Sequence, residues 1–260
     1  MNRTRRATPH LFARWDHIVQ RIREKKRLVF FLDFDGTLVR IAPMPDAVCM
    51  EDGTRQVLRK LATHRNVTVA VVSGRQRAEL RHYIGIDKVK YMGLYGWESS
   101  GKKRVPFSVR VTLARTLVEL LTELSAYPGV WIEPKRNTFS VHLKGTSGET
   151  QRRVREILKK RVALLRDTLQ MMTNLRDVEV APLSIGDKGA AVRKFLDEPA
   201  MRGALPIYFG DDLSDEPAFA AARKGISILV GNRRTTRAQF SLRGPAEVTA
   251  ALSRMEEMIL

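Results

Sequence analysis

The sequence has a single cysteine, Cys49, among 260 residues, and it has no long apolar run. One cysteine excludes an internal disulfide and is compatible with a reducing compartment. No stretch approaches the ~18 apolar residues of a membrane span, and the basic start of the chain, residues 1–6, is not followed by the apolar segment of a signal peptide. We therefore expect a soluble, cytoplasmic protein that does not act in a membrane.

Acidic residues are few relative to basic ones, 28 against 46, which gives a formal net charge of +18. Such a charge suits nucleic acid, an anionic membrane surface or an anionic substrate. The chain has no zinc-ligand spacing, RNA-binding aromatic signature or basic zipper. A dense basic group, Lys159-Lys160-Arg161, faces mostly away from the apolar stripe of a predicted helix. We expect a small anionic substrate, no nucleic acid, and a monomer by default.

Four apolar runs end at small or polar residues, which is typical of buried parallel strands. Helix-like stretches lie around them, the first over residues 9–26 and another over 54–64. The runs are Leu28–Leu32 before Asp33, Val67–Val72 before Ser73, Leu205–Phe209 before Gly210, and Ile226–Val230 before Gly231. The carboxyl ends of such strands form the edge of the sheet where ligands bind.

The middle of the chain has a different pattern. We predict a helix around 111–124, strands over 129–133 and 138–143, a long helix over 149–172 and a strand over 175–180. The sequence thus predicts an α/β fold with a Rossmann-like parallel-sheet core and an inserted α/β cap domain. The expected domains are an N-terminal helical segment (1–27), a core in two parts (28–105 and 184–260) and the cap (106–183).

Two acids, Asp33 and Asp35, follow the first strand directly. Gly36 permits a tight turn, and Thr37 offers a hydroxyl and an N–H to an anion. An aspartate can attack phosphorus and carry the phosphoryl group, and a second acid can protonate the leaving alcohol and then activate water. Since buried acids need a partner, this pair predicts a cation or phosphate site.

A second acidic cluster follows the third strand, where four acids occupy residues 211–216. Because close carboxylates repel each other, a divalent cation explains them, and oxygen ligands beside a phosphate favour Mg²⁺. A helix start at Ser214-Asp215-Glu216-Pro217 also explains acids at this place. Both interpretations can hold, and Asp211 is the expected ligand.

Two weaker signals accompany these acids. Ser73, followed by Gly74 and Arg75, can bind a phosphate oxygen, although a simple turn explains the same residues. Lys188 precedes a predicted helix start, where a cation beside free N–H groups suits a phosphoryl group, although a solvated lysine is the plain alternative.

Taken in order, these motifs resemble those of the haloacid dehalogenase superfamily of phosphotransferases. The resemblance implies Asp33 as nucleophile, Asp35 as acid and base, and Ser73 and Lys188 as phosphoryl ligands. It also implies Mg²⁺ bound by Asp33, the Asp35 carbonyl, Asp211 and Asp212, with Thr37 and Asp215 close by, and substrate contacts from Gly74 and Arg75.

Other segments resemble the trehalose-6-phosphate phosphatase family. These are Gly93 to Glu98, Glu133 to Asn137 with His142 downstream, Val178 to Pro182 and Gly210 to Glu216. The resemblance implies that Glu133, Lys135 and Glu179 contact sugar hydroxyls, with Asn137 and His142 nearby. Tyr95 and the string His142-Leu143-Lys144 depart from the family pattern, so sucrose phosphate, glucosylglycerol phosphate and glycosyl phosphoglycerates remain alternative substrates.

Strand alternation agrees with this resemblance, because Glu179 points away from Val178 and Val180. We expect an apolar cap face under two helices and a free polar face, on which Trp131 shares a side with Glu133. Carboxylates and an aromatic on this face suit a polyol, and a plain solvated sheet is the alternative. The sequence predicts a Mg²⁺-dependent phosphatase that hydrolyses trehalose 6-phosphate. A phosphatase for another sugar phosphate and a non-catalytic sugar-phosphate sensor remain open.

Overall fold

The computed structural model describes residues 8–42, 44, 46–99, 104–233 and 235–259. The chain divides into two compact units, of which unit 1 comprises Met1–Gly101 and Asp187–Leu260, and unit 2 comprises Lys102–Gly186. Unit 2 is therefore inserted into unit 1.

The described elements follow one another as an α/β chain. The helices are α1 (Trp15–Arg23), α2 (Asp52–Thr63), α3 (Arg77–Ile84), α4 (Phe107–Leu124), α5 (Gly148–Ala163), α6 (Lys188–Leu196), α7 (Glu216–Ala221) and α8 (Pro245–Ile259). The strands are β1 (Leu28–Leu32), β2 (Val67–Val72), β3 (Lys90–Met92), β4 (Trp131–Pro134), β5 (Phe139–His142), β6 (Leu169–Thr173), β7 (Asp177–Pro182), β8 (Leu205–Gly210), β9 (Ile226–Val230) and β10 (Phe240–Leu242).

Unit 1 is built on a parallel sheet with the strand order β10-β9-β8-β1-β2-β3. The central strand β1 is buried on both faces because its side chains alternate between two cores. Phe30 and Leu32 lie in the core that includes residues of α1, α2, α3 and α8. Val29 and Phe31 lie in the core that includes residues of α6 and α7. The predicted α/β fold with a parallel-sheet core is confirmed.

The N-terminal segment lies along the outer edge of this sheet. The backbone N–H of Ser241 in β10 donates to the carbonyl of Pro9 at 2.9 Å, and the Ser241 hydroxyl donates to the carbonyl of Thr8 at 3.2 Å. His10 forms a parallel β-bridge with Ser241, and its Nε2 lies 2.9 Å from Oε2 of Glu247. The segment therefore covers strand β10.

Unit 2 contains an antiparallel sheet with the strand order β4-β5-β7-β6. One face is apolar, and its residues Phe139, Val141, Val178 and Val180 share a core with residues of α4 and α5. The opposite face carries the polar residues of the same strands, as strand alternation requires. The Ser147 hydroxyl accepts from the N–H of Thr150 at 3.1 Å and caps α5.

Two predicted boundaries in the sequence are wrong. The helix predicted over 149–172 ends at Ala163, and residues Leu169–Thr173 form strand β6 instead. The apolar side chains Leu165, Leu169 and Met172 continue a helical stripe, but pairing of β6 with β7 overrides that local pattern. At the N-terminus, the helix predicted over 9–26 is a 3₁₀ turn, Leu11–Arg14, followed by α1, which ends at Arg23.

In the part of the chain that the structure describes, no helix combines the length and the apolar character that crossing a membrane requires.

Candidate active site

A buried ionic cluster lies at the carboxyl ends of β1 and β8 in unit 1. Lys188, the first residue of α6, donates from Nζ to Oδ1 of Asp33 at 2.6 Å and to Oδ1 of Asp215 at 2.8 Å. All three residues are almost fully buried, with Asp33 at 4%, Lys188 at 3% and Asp215 at 0% exposure. Lys188 is therefore held between two carboxylates. Burying these charges would be very costly if they were not paired with one another.

A third carboxylate, that of Asp211, joins this cluster. One carboxylate oxygen from each of Asp33, Asp211 and Asp215 lies within 4.8 Å of the other two. Gly36 has a φ of +82°, and a side chain there would collide with the Asp211 carboxylate. Only glycine therefore fits the turn that brings residues 33 and 211 together.

The electrostatics of the cluster indicate an excess of negative charge. Burial raises the pKa of Asp33 to about 7, with the Lys188 ammonium opposing the rise and the Asp215 carboxylate adding to it. Burial and the charges of Asp33 and Asp215 also raise the pKa of Asp211 well above its ordinary value. Three carboxylates face one ammonium, so a divalent cation matches the remaining formal charge. An all-oxygen donor set of this kind fits Mg²⁺.

Asp35 lies apart from this cluster and is tied to Arg75. Nε and Nη2 of Arg75 donate to Oδ2 and Oδ1 of Asp35 at 2.7 and 2.8 Å, a bidentate pair. The guanidinium is also 3.7 Å from Glu79 and lies against the rings of Phe34 and Tyr83, at 5.5 and 5.3 Å. In this structure Arg75, which the sequence predicts as a substrate ligand, is paired with Asp35.

Ser73 is buried at the end of β2, beside an unusual turn. The N–H of Tyr95 donates to the carbonyl of Ser73 at 2.8 Å, and the N–H of Leu94 donates to the carbonyl of Arg75 at 2.9 Å. Leu94 and Tyr95 both have positive φ, 45° and 57°, which costs free energy in residues other than glycine. The Tyr95 ring lies close against Gly74, where a Cβ would meet the phenol. This turn therefore fixes the loop that carries Ser73.

Two further predicted residues of unit 1 have local structural contacts. The Thr37 hydroxyl donates to Oδ2 of Asp33 at 3.4 Å. The Asp212 carboxylate accepts from the N–H of Leu213 at 2.5 Å and caps the turn that follows β8. The structure thus brings Asp215, rather than Asp212, together with Asp33 and Asp211.

In unit 2, the predicted sugar-binding residues lie on the polar face of the sheet. Nζ of Lys135 donates to the Ser140 hydroxyl at 2.7 Å and to Oε2 of Glu179 at 3.1 Å, and the Ser140 hydroxyl donates to the same Glu179 oxygen. Glu179 is only 1% exposed, so this face is more enclosed than the free face that alternation predicts. Asn137 lies in the turn between β4 and β5.

A second group on this face joins Glu133, His142 and Trp131. Nε2 of His142 lies 2.8 Å from Oε2 of Glu133. The imidazole stacks on the Trp131 indole with ring centroids 3.8 Å apart and an interplanar angle of 9°. Both pairs follow from the register of β4 and β5, in which Trp131 is opposite His142 and Glu133 is opposite Ser140.

Two residues of these groups, Tyr208 and Ser140, are absent from the set predicted by sequence, whereas Trp131 is the aromatic that the sequence places on the sugar-binding face. The Tyr208 hydroxyl donates to Oδ1 of Asp215 at 2.7 Å and is fully buried in β8. The sequence signal for Tyr208 was a tyrosine within a strand that is otherwise apolar. Because a buried hydroxyl needs a hydrogen-bond partner, such a tyrosine indicates a polar group nearby. Ser140 shares a strand face with predicted residues, which was the corresponding signal in unit 2.

Comparison with known proteins identifies the family. A family model described as trehalose-phosphatase matches residues 31–246, well over half of the chain. A probable trehalose-phosphate phosphatase 4 from Oryza sativa subsp. japonica is 29% identical over 269 residues, covering 97% of this chain and 72% of that protein. The trehalose-phosphate phosphatase of Mycobacterium tuberculosis is 32% identical over 244 residues, covering 88% of this chain and 61% of that protein. The chain thus spans about three-fifths of the length of the mycobacterial relative.

Among solved structures, the C-terminal domain of a trehalose-6-phosphate phosphatase from C. albicans superimposes with a TM-score of 0.82, at 21% identity, covering 97% of this chain and 99% of that one. At this identity the likeness shows the fold alone. With the match to the family model, it leads to one conclusion: the chain belongs to the trehalose-phosphatase family.

Proposed function

We propose that this protein is a Mg²⁺-dependent phosphatase that hydrolyses trehalose 6-phosphate to trehalose and phosphate. The observation that supports it most is the buried cluster of Asp33, Asp211 and Asp215 around Lys188. Burying three carboxylates beside one ammonium is costly unless the site holds a cation together with an anionic group.

In the proposed first step, Oδ2 or Oδ1 of Asp33 attacks the phosphorus and the bond from phosphorus to the sugar oxygen breaks. Asp33 then carries the phosphoryl group as an acyl phosphate, and the leaving oxygen takes a proton from Asp35. Lys188 and Ser73 hold the phosphoryl oxygens, since an ammonium and a hydroxyl at a strand end suit that charge.

In the second step, Asp35 takes a proton from a water molecule, which attacks the phosphorus. The bond between phosphorus and Asp33 breaks and inorganic phosphate leaves. Both Asp35 oxygens accept from Arg75 in this structure, so Asp35 must release at least one of these bonds and take up a proton from solvent before it can protonate the leaving oxygen. We therefore assign Arg75 to orienting Asp35.

Asp33 and Asp211, with the carbonyl of Asp35, would hold the Mg²⁺. When bound, the ion supplies positive charge that stabilises the transferring phosphoryl group. Asp215 keeps Lys188 in place, and the Tyr208 hydroxyl keeps Asp215 in place.

Substrate selection is assigned to unit 2. Lys135, Glu133 and Glu179 offer a cation and carboxylates that hydrogen-bond sugar hydroxyls. Of these, the buried Oε1 of Glu179 has no hydrogen-bond partner among the described residues, so it is ready to accept one from a ligand.

Phosphate release tests the proposal. The protein is assayed with Mg²⁺ on trehalose 6-phosphate, sucrose 6-phosphate, glucose 6-phosphate and glucosylglycerol phosphate, with EDTA and Asp33→Asn as controls. Metal-dependent release with a clear preference for trehalose 6-phosphate supports chemistry and substrate together. Release from another ester alone would support the phosphatase chemistry but show that the substrate assignment is wrong. Release from none of the esters favours a non-catalytic sugar-phosphate sensor.

A further inference from the structure

A tryptophan side chain, that of Trp131, is exposed on the polar face of the unit 2 sheet. Trp131 is the first residue of β4, and strand alternation places it on the same face as Glu133. It is 40% exposed. Large apolar side chains such as Phe139 and Val141 lie on the opposite face in the core, while the partly buried Met172, opposite Glu179, shares the polar face. An exposed indole among carboxylates is therefore not explained by packing of the unit 2 core.

The plane of this indole is fixed. One of its faces is covered by the His142 imidazole at 3.8 Å and 9°. The imidazole is held in turn by Oε2 of Glu133 at 2.8 Å. Because a ring that stacks on a hydrogen-bonded neighbour loses little further freedom when it binds a ligand, the second indole face is preorganised for contact.

Two polar atoms on the same sheet face lack hydrogen-bond donors. Oε1 of Glu179 and Oγ1 of Thr138 are buried without a hydrogen-bond partner among the residues that the structure describes. Such atoms are costly unless a ligand or water supplies the missing bond. A flat apolar surface on the same sheet face as unpaired polar atoms matches the two chemistries of a sugar, namely the apolar C–H face of a pyranose ring and the hydroxyls around it.

From this geometry we propose that Trp131 is a specificity-determining residue, whose free indole face stacks on one sugar ring of the substrate while other hydroxyls of the substrate bind polar atoms of the same sheet face. The inference rests on the proposed function, in which unit 2 selects the sugar. It adds an aromatic platform to the acidic and basic residues already assigned there, and it gives Glu133 and His142 the further task of holding that platform.

Kinetics of two variants test the platform. Trp131→Ala should raise the KM for trehalose 6-phosphate about tenfold, with little change in kcat, because stacking contributes equally to the ground and transition states. Trp131→Phe should raise the KM only about twofold, since it keeps a stacking ring. The KM for a small aryl phosphate, which has no sugar, should rise far less in both. Leu121→Ala is the matched control, because Leu121 is a similarly exposed (47%) apolar residue of unit 2, located on α4, and it should behave as the unchanged protein.

A binding measurement decides the inference independently of turnover. Trehalose alone should change the tryptophan fluorescence of the unchanged protein, and Trp131→Phe, which keeps Trp15 and Trp97, should lose that change. An unaltered KM in Trp131→Ala, or a fluorescence response that persists in Trp131→Phe, overturns the platform. If trehalose 6-phosphate is preferred but these tests fail, the inference alone is wrong. If trehalose 6-phosphate is not hydrolysed, the proposed function is wrong, and the fluorescence titration with trehalose still decides whether Trp131 binds a sugar.

Discussion

Each unit of this protein places a lysine against carboxylates, yet the carboxylates are arranged differently in the two units. In unit 1, Lys188 faces Asp33 and Asp215, with Asp211 close by, so acids outnumber the cation. In unit 2, Lys135 pairs with Glu179, while Glu133 pairs with His142 and Asp177 accepts from Asn174. Each of these three carboxylates of unit 2 therefore has its own partner.

This difference indicates what each group of residues is built to bind. A cluster with surplus negative charge is suited to binding a cation, and a bound cation can then bind a phosphate group. A group whose carboxylates are paired separately, but whose hydrogen bonds are incomplete, is suited to neutral hydroxyls. Under the proposed function, the same residue types, lysine with aspartate or glutamate, would bind an ion in unit 1 and a sugar in unit 2.

The largest expected effect comes from removing the nucleophile of unit 1. Asp33→Asn should lower turnover at least about a thousandfold on both trehalose 6-phosphate and an aryl phosphate, because the amide cannot form the acyl phosphate. Its thermal unfolding should stay cooperative, since the change removes one charge from a crowded cluster. Asp197→Asn, an exposed aspartate at the end of α6, should keep full activity. More than a few per cent of residual turnover in Asp33→Asn contradicts the assignment.

Breaking the sugar group of unit 2 should separate the two substrates. Glu179→Ala leaves Lys135 without its carboxylate and removes a hydrogen-bond acceptor, so kcat/KM for trehalose 6-phosphate should fall about a hundredfold. The loss on an aryl phosphate should be much smaller. Equal losses of kcat/KM on both substrates, with the unfolding temperature preserved, would show that Glu179 does not contact the sugar.

The charge surplus of unit 1 should appear as stabilisation by metal. At a Mg²⁺ concentration about one hundred times its dissociation constant, binding adds about 2.7 kcal/mol to the free energy of unfolding, which calorimetry detects as a higher unfolding temperature. Asp211→Asn should lose most of this shift, and Asp177→Asn of unit 2 should retain it. An equal Mg²⁺ response in both variants argues against Asp211 as a ligand.

The smallest effect concerns Asp177, whose pKa is raised mainly by burial, although its hydrogen bond from Asn174 opposes the rise. Because the folded pKa lies above the unfolded value, the stabilisation by the protonated carboxyl is complete at pH below the unfolded value. It is lost as the pH rises through the folded pKa. Asp177→Asn should therefore raise the unfolding temperature by about 1–3 °C at neutral pH and not in acid.

Scanning calorimetry from acid to neutral pH measures this difference. The exposed Asp167→Asn serves as its control. A difference between Asp177→Asn and the unchanged protein that is constant with pH would show that titration of Asp177 does not affect stability.

The sequence predicted best those candidate site residues that come directly after a buried strand. Apolar runs such as Leu28–Leu32 locate the strands, and parallel pairing then brings Asp33 and Asp211 to one edge without further information. Alternation in β5 and β7 likewise predicts which residues share the polar face of unit 2.

Contacts that depend on distant pairing or on a rotamer were not predictable in this way. The pair between Arg75 and Asp35 joins residues 40 positions apart, and nothing local distinguishes it from a phosphate-binding arginine. Strand β6 has a helical apolar stripe, and only its ladder with β7 makes it a strand. The positive φ values at Leu94 and Tyr95 leave no sequence signal, because neither residue favours that conformation.

The N-terminal segment has a consequence for the behaviour of the protein in concentrated solution. Edge strands offer unpaired backbone groups to other chains and are sites of aggregation. Here Thr8, Pro9 and His10 occupy the outer side of β10, and proline has no N–H to offer to a further strand. A variant that lacks residues 1–10 should keep its cores but associate at high concentration, which light scattering measures. We therefore expect residues 8–10 to prevent the edge of the sheet from pairing with the sheets of other molecules.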